Sequence, residues 1–138
     1  FCGYNFGDYF QHWLDIGNQS GANLPKLFYV NWFRKDQEGQ FIWPGFGENA
    51  RVLKWVLERI AGSADAVETP IGMVPRTEDL DVSGLELGTE ALEALLAVDQ
   101  DEWRNELSLI EEHYEAIGDR LPSEMRVQLE RLADRLAT

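Results

Sequence analysis

Charge and aromatic side chains occupy opposite halves of this 138-residue chain. Residues 1–60 hold six basic and six acidic side chains, whereas residues 61–138 hold six basic and nineteen acidic ones. Beyond residue 60, the only aromatic residues are Trp103 and Tyr114. We therefore expect a neutral, aromatic front part that carries any site for a small anionic ligand, followed by an acidic helical part.

The net charge of -13 argues against binding to nucleic acid, because basic groups are needed to displace counterions from the phosphates. No segment approaches the roughly 20 apolar residues that span a bilayer, and no signal-peptide pattern is present. The single cysteine, Cys2, cannot form a disulfide within the chain, which fits a reducing compartment. These features predict a cytoplasmic protein that does not act on a membrane. The apolar start at Phe1 also predicts that further chain precedes it.

Helices are predicted wherever apolar residues recur every three or four positions. The first begins after Asn5 as N-cap and ends near Gly17, and a second follows Asn49, which stands at an N-cap position, and ends at Gly62. Beyond residue 88, three further helices are predicted from apolar positions at Leu92, Leu95 and Leu96, then at Trp103, Leu107, Ile110, Tyr114 and Ile117, and finally at Met125, Leu129, Leu132 and Leu136. The long helix should begin near Asp99, with Glu102 in a capping box.

Residues 27–33 form an apolar run rich in β-formers, which predicts a strand buried on both faces. Residues 35–39 should form a turn and residues 40–43 the returning strand of a hairpin, which Pro44 and Gly45 end. A further extended piece is expected around residues 69–75. The fold class is therefore α+β for this chain, or the end of a larger α/β protein, with a boundary between segments 1–75 and 76–138.

The hairpin provides a candidate ligand site. Its turn folds Phe33 and Phe41 toward each other, and the bend that follows can bring Phe46 over the same position, so that parallel rings would form a slot for a flat purine. Stacking is worth about 1–3 kcal/mol per base but does not discriminate between bases. The amide of Asn49, with a donor and an acceptor, would then recognise the base edge. The alternatives are core or cross-strand aromatic pairs and a helix-capping Asn49.

Other reactive residue types lack a catalytic pattern. His12 and His113 have no partner at metal-ligand spacing, and Cys2, with no base beside it in sequence, is interpreted as a buried, inert thiol. Phosphate-binding glycine motifs are absent from the sequence. We therefore predict no catalytic and no metal-binding residue in this chain. Arg34 and Lys35 are left open between phosphate contacts and a solvated pair.

The string Asn31-Trp32-Phe33-Arg34-Lys35-Asp36, followed by Phe41-x-Trp43-Pro44-Gly45-Phe46-Gly47-Glu48-Asn49, resembles the nucleotide-base segment of GTP-dependent phosphoenolpyruvate carboxykinases. Gly-Tyr-Asn-Phe-Gly at 3–7 and Thr-Pro-Ile-Gly at 69–72 match the same family in the same order, and Met73 departs from its common aromatic. The resemblance is dense up to about residue 75. It implies a guanine held by Phe33, Phe41 and Phe46, with Asn49 at the base.

The resemblance also implies that the chain is part of the C-terminal nucleotide-binding domain of a mostly monomeric carboxy-lyase of gluconeogenesis. That family converts oxaloacetate and GTP to phosphoenolpyruvate, carbon dioxide and GDP, with Mn²⁺ at the catalytic site and Mg²⁺ on the nucleotide. Its phosphate loop, metal ligands, reactive cysteine and substrate-binding arginines lie upstream of the matched segment. This chain is therefore expected to carry the guanine-binding segment and, by itself, not to catalyse.

Two other functions are weighed against this hypothesis. The acidic helices beyond residue 76 could offer a protein-interaction surface to a basic partner, although their apolar stripes favour packing within their own domain. The aromatic residues could form a platform for sugars, although few polar groups surround them.

Overall fold

The computed structural model describes residues 2–137. Its helices are accompanied by one two-stranded antiparallel sheet, so the chain is mixed α and β. The elements in chain order are α1 (Phe6–Gly17), α2 (Asn49–Ala61), β1 (Val67–Thr69), β2 (Gly72–Val74), α3 (Thr89–Leu96), α4 (Gln100–Ile117) and α5 (Ser123–Ala137), with 3₁₀ turns at Phe46–Glu48, Thr77–Asp79 and Gly118–Arg120.

The chain forms two compact units. The terminal unit contains the chain up to Pro25 together with the chain from Asp99 onward, and the central unit contains Lys26–Val98. The division of one domain into a guanine-binding segment 1–75 and an acidic helical segment 76–138 stays a prediction.

In the terminal unit, the predicted helix starts are confirmed by their capping contacts. The Asn5 side chain accepts the Gly7 N–H at 2.7 Å, and the Asp99 carboxylate accepts the N–H groups of Asp101 and Glu102 at 2.8 and 3.0 Å. Such caps satisfy backbone donors that a helix cannot satisfy itself.

Helices α4 and α5 pack against each other in the same unit. Leu136 is fully buried, and the other predicted inward positions of α5 are half-buried. The Arg104 guanidinium donates to the Leu136 carbonyl at 2.8 and 3.2 Å, which ties α4 to the last turn of α5. A cation at the last carbonyls also offsets the helix dipole.

The core of the central unit is formed by Trp55 of α2, Leu92 of α3 and Leu80 between them. Trp55 donates its indole N–H to the Asp65 carbonyl at 3.3 Å, and the Phe28 ring meets the indole edge-on at 6.2 Å between centroids. Helix α2 ends at Gly62 in the left-handed conformation, as predicted.

The extended piece predicted at residues 69–75 contributes to a hairpin. Strands β1 and β2 pair in the register Val67↔Val74, Glu68↔Met73 and Thr69↔Gly72. The Thr69 hydroxyl donates to the Gly72 carbonyl at 2.7 Å across the turn.

The strand predicted at residues 27–33 is wrong. The segment is irregular, with Leu27 81% and Tyr29 93% exposed. A strand requires a hydrogen-bonding neighbour as well as β-forming side chains, and no other segment in residues 2–137 pairs with this one. The Asn31 side chain accepts the Phe33 N–H at 2.9 Å, an Asx turn that bends the run before its end.

None of the helices in residues 2–137 combines the length and apolar character that crossing a membrane requires.

Candidate functional site

One open depression of about 490 Å³ in the central unit brings the four predicted site residues together. Its lining consists of Trp32, Phe33, Gln40, Phe41, Trp43, Pro44, Gly45, Phe46 and Asn49. The rings are therefore gathered at one surface, not scattered through the interior. Their role in binding a base stays a prediction.

The predicted hairpin forms, but few backbone hydrogen bonds connect its two arms. Lys35 and Phe41 make a single antiparallel bridge. The Ile42 N–H donates to the Arg34 carbonyl at 3.0 Å, and the Asp36 N–H to the Gln40 carbonyl at 2.9 Å. These bonds fix the register that places Phe33 beside Phe41.

Phe33 and Phe41 meet edge to face and not in parallel. Their ring centroids are 5.9 Å apart and the ring planes are inclined by 61°. This is a favourable aromatic geometry, but it leaves no space between the two rings for a base. The expected parallel slot is therefore wrong for this pair, and a purine would have to lie against the pair and be covered from elsewhere.

Phe46 is the residue that projects over the depression from outside the hairpin. Its side chain is 98% exposed, so the core alternative is wrong for this ring. Its φ is +33°, a conformation that is rare for bulky residues and costs about 1–3 kcal/mol. Gly45 before it has φ 77° and ψ -169°, which is accessible essentially to glycine alone. The turn holds an aromatic ring in solvent at the expense of stability.

Asn49 is not the N-cap of α2, contrary to the sequence prediction. It is the first helical residue, with φ -58° and ψ -27°, and Glu48 precedes it as the cap. The 3₁₀ turn Phe46–Glu48 leads directly into α2, and the Phe46 carbonyl already accepts the Asn49 N–H. The side chain is thus released from capping, and its Oδ1 accepts the Trp43 indole N–H at 2.9 Å.

Trp43 is a lining residue that was not among the four predicted site residues. It is 6% exposed and provides the floor of the depression beside Asn49. Its sequence signal is ambiguous, because a tryptophan two residues after Phe41 in a hairpin is equally expected to be a core residue.

Arg51 braces the helix start that carries Asn49. Its Nε donates to Glu48 at 2.6 Å and its Nη1 to the Asp81 carbonyl at 2.8 Å. Hydrogen bonds from the Ser83 hydroxyl and N–H, with Lys54 and Arg51 nearby, hold the pKa of the Asp81 carboxyl below its ordinary value. Asp81 therefore stays ionised beside these cations at neutral pH.

The two cations left open by the sequence have separate roles. Arg34 Nη1 donates to the carbonyls of Leu95 and Ala97, at 3.2 and 2.9 Å, where α3 ends. Lys35 Nζ lies 5.0 Å from the centroid of the Phe41 ring, within cation–π range. Arg34 thus connects the first arm of the hairpin to the end of α3, and Lys35 lies over the ring of Phe41.

We expect Arg34→Ala to lower the free energy of unfolding by about 1–3 kcal/mol, because two hydrogen bonds from a charged donor are lost. Lys35→Ala is the matched control, since it removes an exposed cation–π contact worth about 0.5–1 kcal/mol. Urea denaturation of both variants measures the difference. Equal effects would contradict the anchoring role of Arg34.

Other candidate groups are not among the residues that line this depression. His12 and His113 are exposed, and Cys2 is half-buried, so the thiol is less enclosed than predicted. Within the part of the chain that the structure describes, no cluster of three or more His, Cys, Asp or Glu side chains could hold a metal ion.

Comparison with known proteins places the chain among its relatives. Residues 1–135 match the model of the phosphoenolpyruvate carboxykinase C-terminal P-loop domain. The chain is 51% identical over 138 residues to phosphoenolpyruvate carboxykinase [GTP] of Arthrobacter sp. (strain FB24), an alignment that covers 99% of this chain and 23% of that protein. It is 51% identical over 137 residues to the Renibacterium salmoninarum protein of the same name, with 99% and 23% covered. It is 50% identical over 138 residues to that of Treponema pallidum (strain Nichols), with 99% and 22% covered.

The chain thus spans less than a quarter of the length of these relatives. The family match extends well beyond residue 75, where the motif resemblance faded. Since the match to the C-terminal P-loop domain model covers nearly the whole sequence, the chain belongs to the GTP-dependent phosphoenolpyruvate carboxykinase family.

Proposed function

We propose that the depression lined by Phe33, Phe41, Phe46 and Asn49 binds the guanine base of GTP and GDP. The enzyme served by this site would convert oxaloacetate and GTP to phosphoenolpyruvate, carbon dioxide and GDP. Relatives that are about half identical to this chain carry the name phosphoenolpyruvate carboxykinase [GTP], which supports both the reaction and the nucleotide.

The exposure and backbone conformation of Phe46 are the main support for this proposal. An aromatic side chain that is 98% exposed contributes little to folding, and its positive φ works against folding. Such features are expected where a ligand supplies the missing contact. A base lying on Phe46 would be enclosed on its other side by the edge-to-face pair Phe33 and Phe41, and each stacked contact is worth about 1–3 kcal/mol.

Base choice requires polar groups because stacking accepts any base. Asn49 lines the same depression and is half-buried, so a base edge that leaves its amide unpaired is penalised. The base would thus be bound by stacking and selected by hydrogen bonding.

The contribution of these residues to the reaction is to position the nucleotide. Phosphoryl transfer depends on orientation and on neutralisation of phosphate charge. Mn²⁺ and Mg²⁺, implied by the family resemblance, would supply that neutralisation in the complete enzyme. The residues described here provide no fitting metal site, so we assign them no metal ligand and no chemical step. Monomeric state, cytoplasmic location and a role in gluconeogenesis also stay predictions from the resemblance.

Nucleotide preference tests the proposal directly. In the complete enzyme, we expect kcat/KM for phosphoenolpyruvate formation to be at least about 100-fold higher with GTP than with ATP, because the wrong base leaves the half-buried amide of Asn49 unpaired. A coupled assay with each nucleotide in turn measures this ratio. Equal use of ATP would contradict a guanine site.

An acidic protein-interaction module is not favoured. The family match runs through the acidic helices to residue 135, and α4 and α5 pack against each other. No observation favours the sugar platform.

A further inference from the structure

The hydrogen bond between Trp43 and Asn49 fixes which way the Asn49 amide points. The indole Nε1 lies 2.9 Å from Oδ1. An indole N–H donates and never accepts, so the oxygen of the amide must face Trp43 and the nitrogen must point elsewhere. Trp43 is 6% exposed, so its side of this contact is shielded from water.

Both partners of this bond belong to well-held segments. The Ile42 N–H, next to Trp43, is bonded to the Arg34 carbonyl at 3.0 Å in the hairpin. Asn49 is the first residue of α2, whose start is braced by the Arg51–Glu48 ion pair at 2.6 Å. The amide is therefore oriented by a donor and a backbone that are each fixed independently.

The consequence is that Asn49 presents a donor to the depression. Its oxygen is used by Trp43, and its nitrogen has no hydrogen-bond partner among residues 2–137. Guanine carries an acceptor oxygen at position 6, where adenine carries a donor amino group. An N–H donor pairs with the first and opposes the second.

We propose that Trp43 is a positioning residue for base selection, which holds the Asn49 amide so that its NH₂ group meets a 6-oxopurine. This inference rests on the proposed guanine site and adds a residue that orients its amide. Inosine nucleotides serve as a probe of this role because hypoxanthine keeps the 6-oxo group and lacks only the 2-amino group. Without the indole N–H, nothing holds the amide in this orientation, so its oxygen can face the base instead.

The test uses Trp43→Phe in the complete enzyme, with Kd values for GDP, IDP and ADP from isothermal titration calorimetry. We expect GDP and IDP to weaken by the same factor, about 3- to 10-fold, while ADP binding stays unchanged or tightens. Any result that leaves the ratio of the GDP and ADP Kd values unchanged would overturn the inference. Equal weakening of all three nucleotides is one such result, and it would indicate a purely structural role for Trp43.

Asn49→Asp provides the matched control, because the two oxygens of a carboxylate are equivalent. This variant keeps an acceptor for Trp43 and replaces the donor by an acceptor, so the GDP-to-ADP preference should collapse. Adding Trp43→Phe to it should leave the ratio unchanged, since turning over a carboxylate alters nothing. A further change in the ratio in the double variant would contradict the orientation mechanism.

Two outcomes separate this inference from the proposed function. If the wild-type enzyme binds GDP no more tightly than ADP, the guanine site itself is wrong. If the wild-type enzyme discriminates and Trp43→Phe still discriminates equally, only the role of Trp43 is wrong. Should Trp43→Phe fail to fold, Asn49→Asp alone decides, because an unchanged preference in that variant excludes a donor role for the amide.

Discussion

Replacing Phe46 by alanine is expected to weaken GDP binding to the complete enzyme by about 1–3 kcal/mol, which corresponds to roughly 5- to 150-fold in Kd. The ring is 98% exposed, so its removal deletes almost no packing within the protein. The loss should therefore appear in nucleotide affinity and not in folding. Calorimetric titration with GDP measures it, with phosphoenolpyruvate binding followed as an unaffected reference.

The matched control is Phe46→Trp, which keeps a flat aromatic surface and should retain most of the GDP affinity. The backbone at Phe46, with φ +33°, supplies a second readout. Phe46→Gly should weaken GDP binding as alanine does, yet raise the free energy of unfolding, because glycine relieves strain of about 1–3 kcal/mol. An unchanged Kd for GDP in Phe46→Ala would leave the proposed site without its main contact.

Helix starts and ends were predictable because their chemistry is local. Asn5 and Asp99 bind backbone N–H groups two or three residues away, and Gly62 adopts the left-handed conformation of a helix end. Each signal is contained within one turn of chain and is independent of the rest of the fold.

Pairing and exposure were not predictable from the same kind of pattern. Residues 27–33 have the composition of a buried strand, but strand formation depends on a neighbour that the segment's own sequence cannot specify. Asn49 likewise has the residue type of a cap. It is instead the first residue of the helix, because the 3₁₀ turn before it already satisfies the first N–H of α2.

The candidate site was predicted mainly from family resemblance and only weakly from spacing. Spacing indicated that Phe33 and Phe41 approach each other, and their ring centroids are indeed 5.9 Å apart. Their inclination could not be foreseen, since it depends on side-chain rotation. Nor could the strain at Phe46 be foreseen, because a positive φ is rare for a bulky residue and no residue pattern specifies it. The contact from Trp43 to Asn49 depends on a bend whose angle the sequence does not set.

Gly7→Ala is expected to destabilise the terminal unit by about 1–3 kcal/mol or more, as overpacking does. Helix positions usually gain from this change, by roughly 0.5–1 kcal/mol. Here a Cβ would overlap the Arg120 carbonyl oxygen and lie 2.5 Å from the carbonyl carbon. Because both atoms belong to the backbone, no side-chain rotation relieves the overlap, and α1 must move away from the 3₁₀ turn at Gly118–Arg120. The Asp8–Arg120 ion pair, at 2.6 Å, would be disrupted with it.

Gly17→Ala is the control in the same helix, since its Cβ would meet no atom within 4 Å. That variant should be neutral or slightly stabilised, so the two substitutions are expected to have opposite signs. Thermal and urea unfolding of both variants, side by side, gives the comparison. Helix propensity alone predicts a higher unfolding free energy for both variants. Close backbone packing predicts a lower unfolding free energy for Gly7→Ala only. Finding Gly7→Ala as stable as Gly17→Ala would mean that α1 does not pack against that turn in solution.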